Sequence, residues 1–323
     1  MKDFDTAPPG GRWTPPDFSD LERVALDLEA FAPDAEPIAP LRLLGEGFFS
    51  VALATASDHV FRLGTAPGVF ERYEKEWRLL PWLREHELPL EAPRPRWLLV
   101  PGDAFPFGGT GYPMLPGVQM TADLIAQGDR AALIRQIAEL LVALHAMPTE
   151  ELAALGVPGP ELERTWEREW HEASMAVLPS VLSAPEMEAV ARWWEGFLDV
   201  RDAYNGPLVL LHRDIGDENL LASEDGSHLV GVIDWEHAAV GDPMYDFAHL
   251  RFIGLDFQRE AIEAYQDLGG RVDGGMHERL DWNWQLAPFP GISRTWRRGE
   301  QIDGDEVRAS LQRHGVLEGV TND

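Results

Sequence analysis

Cysteine is absent from the 323 residues of this sequence, which removes several kinds of chemistry at once. Without a thiol, the chain forms no disulfide, has no cysteine nucleophile and offers no thiolate ligand to zinc. Basic residues are also scarce, with 27 Lys and Arg against 55 Asp and Glu. The net charge of −28 disfavours nucleic acid and anionic membranes as partners. It would attract a cationic small molecule, although such a surface also serves solubility.

Long apolar runs are missing as well, so the sequence predicts no membrane-spanning helix. The stretch from 1 to 11 is polar and rich in Pro and Gly, without the apolar centre of a secretion signal. We therefore expect a cytoplasmic protein. Aromatic residues are plentiful, with 12 Trp and 14 Phe, and the length suits two lobes that share a cleft.

The first third of the chain predicts a small β-rich unit. Ser19-Asp20-Leu21-Glu22 fits a capping box, so a short helix is expected to end near Phe31. A helix over 70–86 contains Pro81, which predicts a kink or a restart there. The predicted strands are 41–44, 51–55, 59–63, 95–100 and 112–115.

The rest of the chain predicts a mainly helical unit. Arg130 to Met147 has one apolar face. Further helices are expected over 160–175, 185–203, 243–253 and 257–268, and strands over 208–211 and 229–233. We divide the chain into an N-terminal segment with a short helix (1–35), a nucleotide-binding N-lobe (36–115) and a C-lobe (116–323) with the catalytic loop and acceptor site.

The most informative segment runs from Leu211 to Leu221. It places Asp214 two residues after His212, and Asn219 five residues after Asp214. Phosphoryl transfer to an alcohol needs a carboxylate that orients the hydroxyl and accepts its proton, which suits Asp214. It also needs a neutral oxygen ligand for Mg²⁺, which suits Asn219. We expect His212 to hold the loop by hydrogen bonds, and Arg213 to contact a carboxylate or a phosphate.

A second carboxylate, Asp234, follows the predicted strand over 229–233 and lies fifteen residues after Asn219. Mg²⁺ prefers oxygen ligands and takes few of them from the protein, so one Asp and one Asn would suffice. Each residue alone has a structural explanation. Their combination at this spacing indicates a kinase-type site, because protein kinases use the same set.

The nucleotide side begins with a glycine-rich turn. Gly45, Gly47 and Ser50 lie between two predicted strands, where glycine lets the backbone approach phosphates. No Gly-Lys-Ser/Thr follows, so the turn is not a Walker P-loop. Arg62, on the predicted strand over 59–63, is assigned to the α- and β-phosphates, because guanidinium binds phosphate oxygens bidentately.

Two further features complete the predicted nucleotide site. Glu76 on the helix over 70–86 is favoured over Glu74 as the partner that orients Arg62, because Leu80 and Leu83 place its face toward the core. The segment 112–117 is interpreted as the connection between lobes. Its backbone near Met114 and Leu115 could bind the base, and Met114 could pack on the ring.

These segments together resemble the aminoglycoside phosphotransferase family of kinase-like enzymes. The similar segments are 44–47, 60–63, 140–145, 212–219, 231–235 and 241–248. The resemblance spans about residues 41 to 253. It implies an α+β, two-lobed, protein-kinase-like fold, with a small β-rich N-lobe and a larger, mainly helical C-lobe. It also implies Mg²⁺, ATP or GTP as co-substrate, and O-phosphorylation of a small molecule.

The family pattern has two departures, at Arg213 and in the unusually acidic stretch Gly216-Asp217-Glu218, and several matches that we interpret as structural. Many members have Gly after the catalytic His, where this chain has Arg213. Asp242 before Pro243 fits a helix N-cap with Pro at the first helical position. Asp246 is expected to brace the catalytic loop, and His145 to end a helix.

The acceptor side carries no comparable motif. Carboxylates beside aromatic walls would suit a polycationic sugar, although most such residues in proteins are surface acids and core Trp. The residues considered for this site are Asp217, Glu218, Glu236, Asp256 and Asp281, with Glu260, Trp282 and Trp284 as further wall residues.

Four functions are compatible with these observations to different degrees. The first is an antibiotic kinase for an aminoglycoside or a macrolide, and the second a metabolic kinase for choline, homoserine or a sugar. The third, a silent nucleotide-binding protein, is disfavoured because Asp214, Asn219 and Asp234 are all present. The fourth, a metal hydrolase, lacks a further His at ligand spacing. The sequence predicts the first, with an acceptor that could be cationic.

Overall fold

A computed structural model of the chain describes residues 13–47 and 49–319. The predicted helices are largely present, but the capping box predicted at Ser19 is wrong. Helix α1 (Leu21–Phe31) begins one residue later than the predicted box suggests, because Asp20, not Ser19, accepts the N–H of Arg23 at 3.1 Å. The α+β class with a β-rich N-terminal part and a larger helical part is confirmed.

The small lobe is built on one antiparallel sheet. Its strands are β1 (Arg42–Glu46), β2 (Ser50–Ala54), β3 (His59–Gly64), β4 (Trp97–Leu99) and β5 (Gly109–Pro113). They are ordered β1-β2-β3-β5-β4. Leu28 of α1 packs with Leu53 and Phe61 of the sheet, so α1 covers one face. The last predicted strand, 112–115, is the end of β5, and residues 114 and 115 lie beyond it.

Helix α2 (Val69–Glu85) joins the small sheet to the large lobe. It continues through Pro81, so the predicted restart is wrong. Leu79, Leu80 and Leu83 are buried in the core of the large lobe, and this burial on both sides of the proline outweighs the one backbone hydrogen bond that proline cannot donate.

The large lobe contains ten α-helices among the described residues. They are α3 (Ala122–Gln127), α4 (Arg130–His145), α5 (Glu161–Val177), α6 (Ala184–Asp202), α7 (Tyr245–Ala248), α8 (Leu250–Ile253), α9 (Leu255–Asp267), α10 (Met276–Leu286), α11 (Pro288–Arg297) and α12 (Gly304–Arg313). The helices predicted over 130–147, 160–175, 185–203 and 257–268 are confirmed. The one predicted over 243–253 is two short helices, α7 and α8.

Short strands of the large lobe position the candidate site. They are β6 (Val118–Gln119), β7 (Val209–Leu211), β8 (Leu220–Ala222), β9 (Leu229–Val232) and β10 (Ala239–Gly241). β7 pairs with β10, and β8 lies between β6 and β9. Strands β6, β8 and β10 were not expected from the sequence, because two or three residues are too few to show an alternating pattern. The predicted catalytic loop, residues 212–219, connects β7 to β8, and Asp234 follows β9 beside it.

A separate aromatic core lies between α6, α10 and α11. Trp193 stacks on Phe289 with ring centroids 4.8 Å apart, and Trp194 lies 4.8 Å from the same ring. Trp194 is only 1% exposed.

Within the described residues, no helix is long and apolar enough to cross a membrane.

Replacing Trp194 with Ala should lower the free energy of unfolding by about 3–5 kcal/mol, because it leaves a cavity in this aromatic core. Urea denaturation followed by circular dichroism measures the change. Trp77→Ala is the matched control, since Trp77 is 37% exposed on α2 and should change stability by about 1 kcal/mol or less. Equal effects of the two substitutions would contradict the assignment of this core.

Candidate active site

The catalytic loop is anchored by a single buried carboxylate, Asp246. Its Oδ2 accepts the backbone N–H of His212 at 3.2 Å, and its Oδ1 accepts the backbone N–H of Arg213 at 2.5 Å. The same Oδ2 lies 3.0 Å from Nε2 of His145, whose Nδ1 is 2.9 Å from the Tyr265 hydroxyl. Asp246 therefore has the bracing geometry expected from the sequence, and His145 extends it into the helical core.

His212 is fully buried and makes two hydrogen bonds that hold the loop closed. Its Nδ1 accepts the backbone N–H of Asp214 at 3.2 Å, so the ring proton lies on Nε2 and is donated to the Ile233 carbonyl at 3.0 Å. Burial lowers the pKa of His212 below its ordinary value. The ring is thus neutral and links the catalytic loop to the segment that carries Asp234.

Arg213 adopts a backbone conformation that usually favours glycine, with φ of 71°. This explains why a glycine suits this position in similar sequences. Its guanidinium lies 4.6 Å from the Trp166 ring centroid and 4.9 Å from that of Tyr245, and 3.6 Å separates its Nε from Oε1 of Glu163. Of the two predicted partners, carboxylate or phosphate, the described residues supply the carboxylate.

Asp214 is partly exposed, and its carboxylate is bonded through one of its two oxygens. Oδ1 of Asp214 is hydrogen-bonded to Nδ1 of His249. Although burial raises the pKa of Asp214, that hydrogen bond and the charge of His249 outweigh it and hold the pKa below its ordinary value. Asp214 is thus a carboxylate at neutral pH, able to accept a hydrogen bond from a hydroxyl.

Asn219 and Asp234 form a donor set that fits Mg²⁺. The side-chain amide of Asn219 donates to the Asp214 carbonyl at 2.9 Å, which leaves its Oδ1 as the available ligand atom. The N–H of Ile233 donates to the Asn219 carbonyl at 2.9 Å, so Asp234 follows directly beside Asn219. The described residues contain no cluster of three His, Asp or Glu suited to a metal. Two oxygen ligands from the protein match the usual way in which Mg²⁺ is held with phosphates and water.

Arg62 lies at the centre of a cluster that joins both lobes. Its Nη1 donates to Glu76 at 2.8 Å, and its Nη2 donates to Asp234 at 2.6 Å and to Glu236 at 2.5 Å. Of the two helix carboxylates considered, Glu76 is therefore the one that reaches Arg62. Burial and the neighbouring Asp234 raise the pKa of Glu236 to about 7.

Lys75 fixes the segment after Asp234 against helix α2. Its Nζ donates to the carbonyl oxygens of Glu236 at 2.7 Å and of Ala238 at 2.8 Å. The side chain is buried, and burial together with Arg72 lowers the pKa of Lys75 to about 7. The two lobes are thus held together through backbone carbonyls as well as through Arg62.

The predicted nucleotide-binding backbone lies at the edge of the same cluster. The N–H of Gly47 donates to the Ser50 carbonyl at 2.8 Å, which forms a tight turn between β1 and β2, and the space beside Gly45 is open. In the connection between lobes, the N–H of Met114 donates to the Asp58 carbonyl at 2.8 Å. The side chain of Leu115 lies close to Gly231 of β9.

A pocket of about 430 Å³ opens on the Asp214 side of the loop. It lies between α5, α10, α11 and the small lobe. Its apolar walls come from aromatic side chains, and Asp214 and His249 lie on its surface. The aromatic lining residues are Trp13, Phe49, Trp166, Trp170, Tyr245, Phe252 and Trp284.

The carboxylates predicted for the acceptor side do not line this pocket. Glu236 is buried against Arg62. Asp281 pairs with Arg251 at 2.6 Å on the surface. Asp217, Glu218 and Asp256 are partly or fully exposed elsewhere. Of the further wall residues, Trp284 lines the pocket, whereas Glu260 pairs with Arg130.

Sequence reasoning missed the residues that shape the pocket. His249 follows the matched segment 241–248 directly, and its position three residues after Asp246 was the available signal. Trp166 and Trp170 lie on α5, about fifty residues before the catalytic loop, without a motif. Asp242 makes the backbone contact expected of an N-cap, because its Oδ1 accepts the N–H of Met244 at 3.0 Å, although α7 begins only at Tyr245. Its Oδ2 also accepts from Arg279 at 2.6 Å, a contact that the sequence did not indicate.

Replacing Asp246 with Asn should lower the free energy of unfolding by about 2–4 kcal/mol. An amide has only one acceptor oxygen, so it cannot replace both carboxylate oxygens that now accept backbone N–H groups. Chemical denaturation measures this change. Asp267→Asn, an exposed position on α9, is the matched control and should change stability by about 0.5 kcal/mol or less. A neutral effect of Asp246→Asn would contradict the anchoring role.

Comparison with known sequences agrees with this geometry. The profile of the phosphotransferase enzyme family, APH, matches residues 44–282. Viomycin phosphotransferase from Streptomyces vinaceus is 31% identical over 172 residues, which are 51% of this chain and 56% of that protein. An uncharacterized protein, YcbJ, from Bacillus subtilis is 26% identical over 240 residues, 70% of this chain and 73% of that protein.

Solved structures share the fold. The GDP and kanamycin complex of an APH(2")-type enzyme has a TM-score of 0.77 at 21% identity and covers 91% of this chain and 99% of its own. The apoenzyme of macrolide 2'-phosphotransferase MphH from Brachybacterium faecium has a TM-score of 0.65 at 24% identity and covers 92% and 99%. The two-lobed, kinase-like fold expected from the sequence is confirmed. This chain belongs to the phosphotransferase enzyme family.

Proposed function

We propose that this protein transfers the γ-phosphoryl group of ATP or GTP to a hydroxyl of a small molecule, with Mg²⁺ as cofactor. One observation carries the proposal: the ionised Asp214 lies on the wall of a ligand-sized pocket, beside two residues with oxygen atoms suited to Mg²⁺. Asn219 is hydrogen-bonded to the Asp214 backbone, and Asp234 comes directly after Ile233, which is hydrogen-bonded to Asn219. An acceptor in the pocket and a nucleotide in the cleft between lobes would meet at this loop.

As the oxygen of the acceptor hydroxyl attacks the γ-phosphorus, the proton of that hydroxyl would pass to Asp214. A new O–P bond forms, the bond between the γ-phosphorus and the bridging oxygen breaks, and the nucleoside diphosphate leaves with that oxygen. His249 holds one oxygen of Asp214 by a hydrogen bond, which orients the other toward the pocket. His212 and Asp246 keep the loop rigid, so that Asp214 is held for this step.

We assign the metal to Asn219 Oδ1 and the Asp234 carboxylate. When bound, Mg²⁺ neutralises charge on the phosphates of the nucleotide. Asp234 is positioned with φ of 64°, an uncommon conformation that aspartate tolerates better than most residues. This geometry turns the carboxylate from the end of β9 toward Arg62.

Arg62 is assigned to the α- and β-phosphates, with Glu76 as its orienting partner. Its guanidinium is buried and contacts three carboxylates, so phosphate oxygens would replace or supplement Asp234 and Glu236 as its partners. The turn at Gly45, Gly47 and Ser50 would cover the phosphates. The backbone of Met114 and Leu115 is proposed to contact the base.

The acceptor is proposed to be an antibiotic or a similar hydroxylated compound. The relatives' names mention viomycin, kanamycin and macrolides. An aminoglycoside-like acceptor, expected from the sequence, belongs to this range. Because ATP and GTP are cytoplasmic, we propose the cytoplasm as the location of this protein.

The division into an N-lobe (36–115) and a C-lobe (116–323) is likewise a proposal.

Asp214→Asn should lower kcat for acceptor-dependent release of nucleoside diphosphate by about 10²–10⁴-fold, because the amide cannot accept the proton. A coupled assay with an acceptor panel measures the release. Asp225→Asn, in an exposed turn, is the matched control and should leave the rate unchanged. Full activity of Asp214→Asn would refute the proposed base.

Asp234→Asn should raise the Mg²⁺ concentration for half-maximal activity by about tenfold or more, because it removes a charged oxygen ligand. Calorimetry of ATP binding at several Mg²⁺ concentrations gives a second readout. Asp225→Asn again serves as the charge-matched control. An unchanged Mg²⁺ requirement would assign the metal to other residues.

A further inference from the structure

The pocket beside Asp214 differs in charge from the chain as a whole. The chain has a net charge of −28, yet four arginines and four carboxylates line the pocket, for a formal balance of zero. The arginines are Arg72, Arg213, Arg294 and Arg297. The acidic surface of the chain therefore attracts cations at long range, whereas the walls of the pocket, with no net formal charge, add no attraction of their own.

Three of the four carboxylates of the pocket, Asp214, Glu167 and Glu169, are already engaged by the protein, whereas the buried Oε1 of Glu163 has no hydrogen-bond donor within reach among the described residues. Glu167 is paired with Arg201 and Glu169 with Arg297. Oε1 of Glu163 lies 3.6 Å from Arg213, and burial raises the pKa of Glu163 to about 7, so this group carries only part of a charge at neutral pH. A ligand with several ammonium groups would have to break these pairs to gain its own.

Four of the seven aromatic lining residues named above, Phe49, Trp166, Tyr245 and Trp284, likewise already have an arginine over the ring. The guanidinium of Arg72 lies 4.0 Å from the Phe49 ring centroid, and that of Arg213 lies 4.6 Å from the Trp166 centroid. Arg251 lies 5.0 Å from the Trp284 centroid. Cation–π attraction is thus already used within the protein, so these faces offer little to additional ammonium groups.

Several buried hydrogen-bond donors of the pocket residues have no acceptor within hydrogen-bond distance among the described residues, although two of them face carboxylate oxygens 3.6 and 3.8 Å away. These donors are Nη1 of Arg72, Nε and Nη1 of Arg213, and Nε1 of Trp166. The side chains of Arg72 and Arg213 are only 7% and 8% exposed. Buried donors without partners are uncommon, and small side-chain movements would let ligand oxygens satisfy them.

We propose that the acceptor is a hydroxylated molecule with a broad apolar face, several oxygen acceptor groups and at most one positive charge, and that the pocket rejects polycations. This rests on the proposed function, because it names the acceptor class of the same site. Trp170 is the specificity residue most open to test, since it lines the pocket and is only half-buried.

The first test compares binding of two probes to the wild-type protein by calorimetry, with Mg²⁺ and ADP present. One probe is a macrolide with a single amine, and the other is kanamycin, which has several amines. The macrolide should bind at least tenfold more tightly. Tighter binding of kanamycin, or no binding of the macrolide, would overturn the proposal.

The second test changes the pocket wall. Trp170→Ala should raise KM for the macrolide at least tenfold with little change in kcat, because it removes apolar contact without touching the reacting atoms. Trp296→Ala is the matched control, since Trp296 is 45% exposed on α11 outside the pocket. Trp170→Asp should also shift preference toward kanamycin. Equal effects of the two Ala substitutions would contradict the pocket assignment.

The two proposals fail in different ways. If no acceptor stimulates release of nucleoside diphosphate while the macrolide still binds more tightly than kanamycin, the phosphoryl transfer is refuted and only the class of ligand that the pocket binds stands. If kanamycin is the better substrate and Asp214→Asn abolishes its turnover, the transfer stands and the acceptor class is refuted. Thermal melting of each Trp170 variant checks that the protein remains folded.

Discussion

The guanidinium of Arg62 is shared by carboxylates from both lobes, and much of the candidate site depends on it. Glu76 approaches from α2, while Asp234 and Glu236 approach from the segment after β9. Separating the lobes would leave these buried charges unpaired, at a high cost in free energy. The cluster therefore fixes the position of one lobe relative to the other. Lys75 adds neutral partners through two backbone carbonyls, so the connection does not rely on charge alone.

The catalytic loop is held by a different kind of contact. Asp246 accepts backbone N–H groups of the loop, and His212 links the loop to Ile233 through a neutral ring. These bonds fix backbone rather than side chains. They therefore leave one oxygen of the Asp214 carboxylate and the side-chain oxygen of Asn219 without a hydrogen bond to the loop backbone, and Asp214 lies on the wall of the pocket.

Surface charge and pocket charge have separate consequences in this protein. The acidic surface acts over about a Debye length and influences which solutes approach. The pocket walls act in contact, where pairing of Glu167 and Glu169 with arginines removes most of their attraction for cations. The cationic acceptor expected from the sequence was inferred from the surface charge. The proposed acceptor, a hydroxylated molecule with a broad apolar face, is inferred from the contacts of the pocket walls.

Residues close in sequence carried the motifs that were predictable. The Asp214–Asn219 spacing, the place of Asp234 after a strand and the strand pattern around Arg62 depend on local geometry. The family resemblance, the fold class and the proposed chemistry could therefore be predicted without the structure. The acceptor pocket could not be predicted in this way. Its walls combine α5, α10 and α11 with the small lobe, and only tertiary packing decides which of their aromatic and charged side chains meet and which pair with each other.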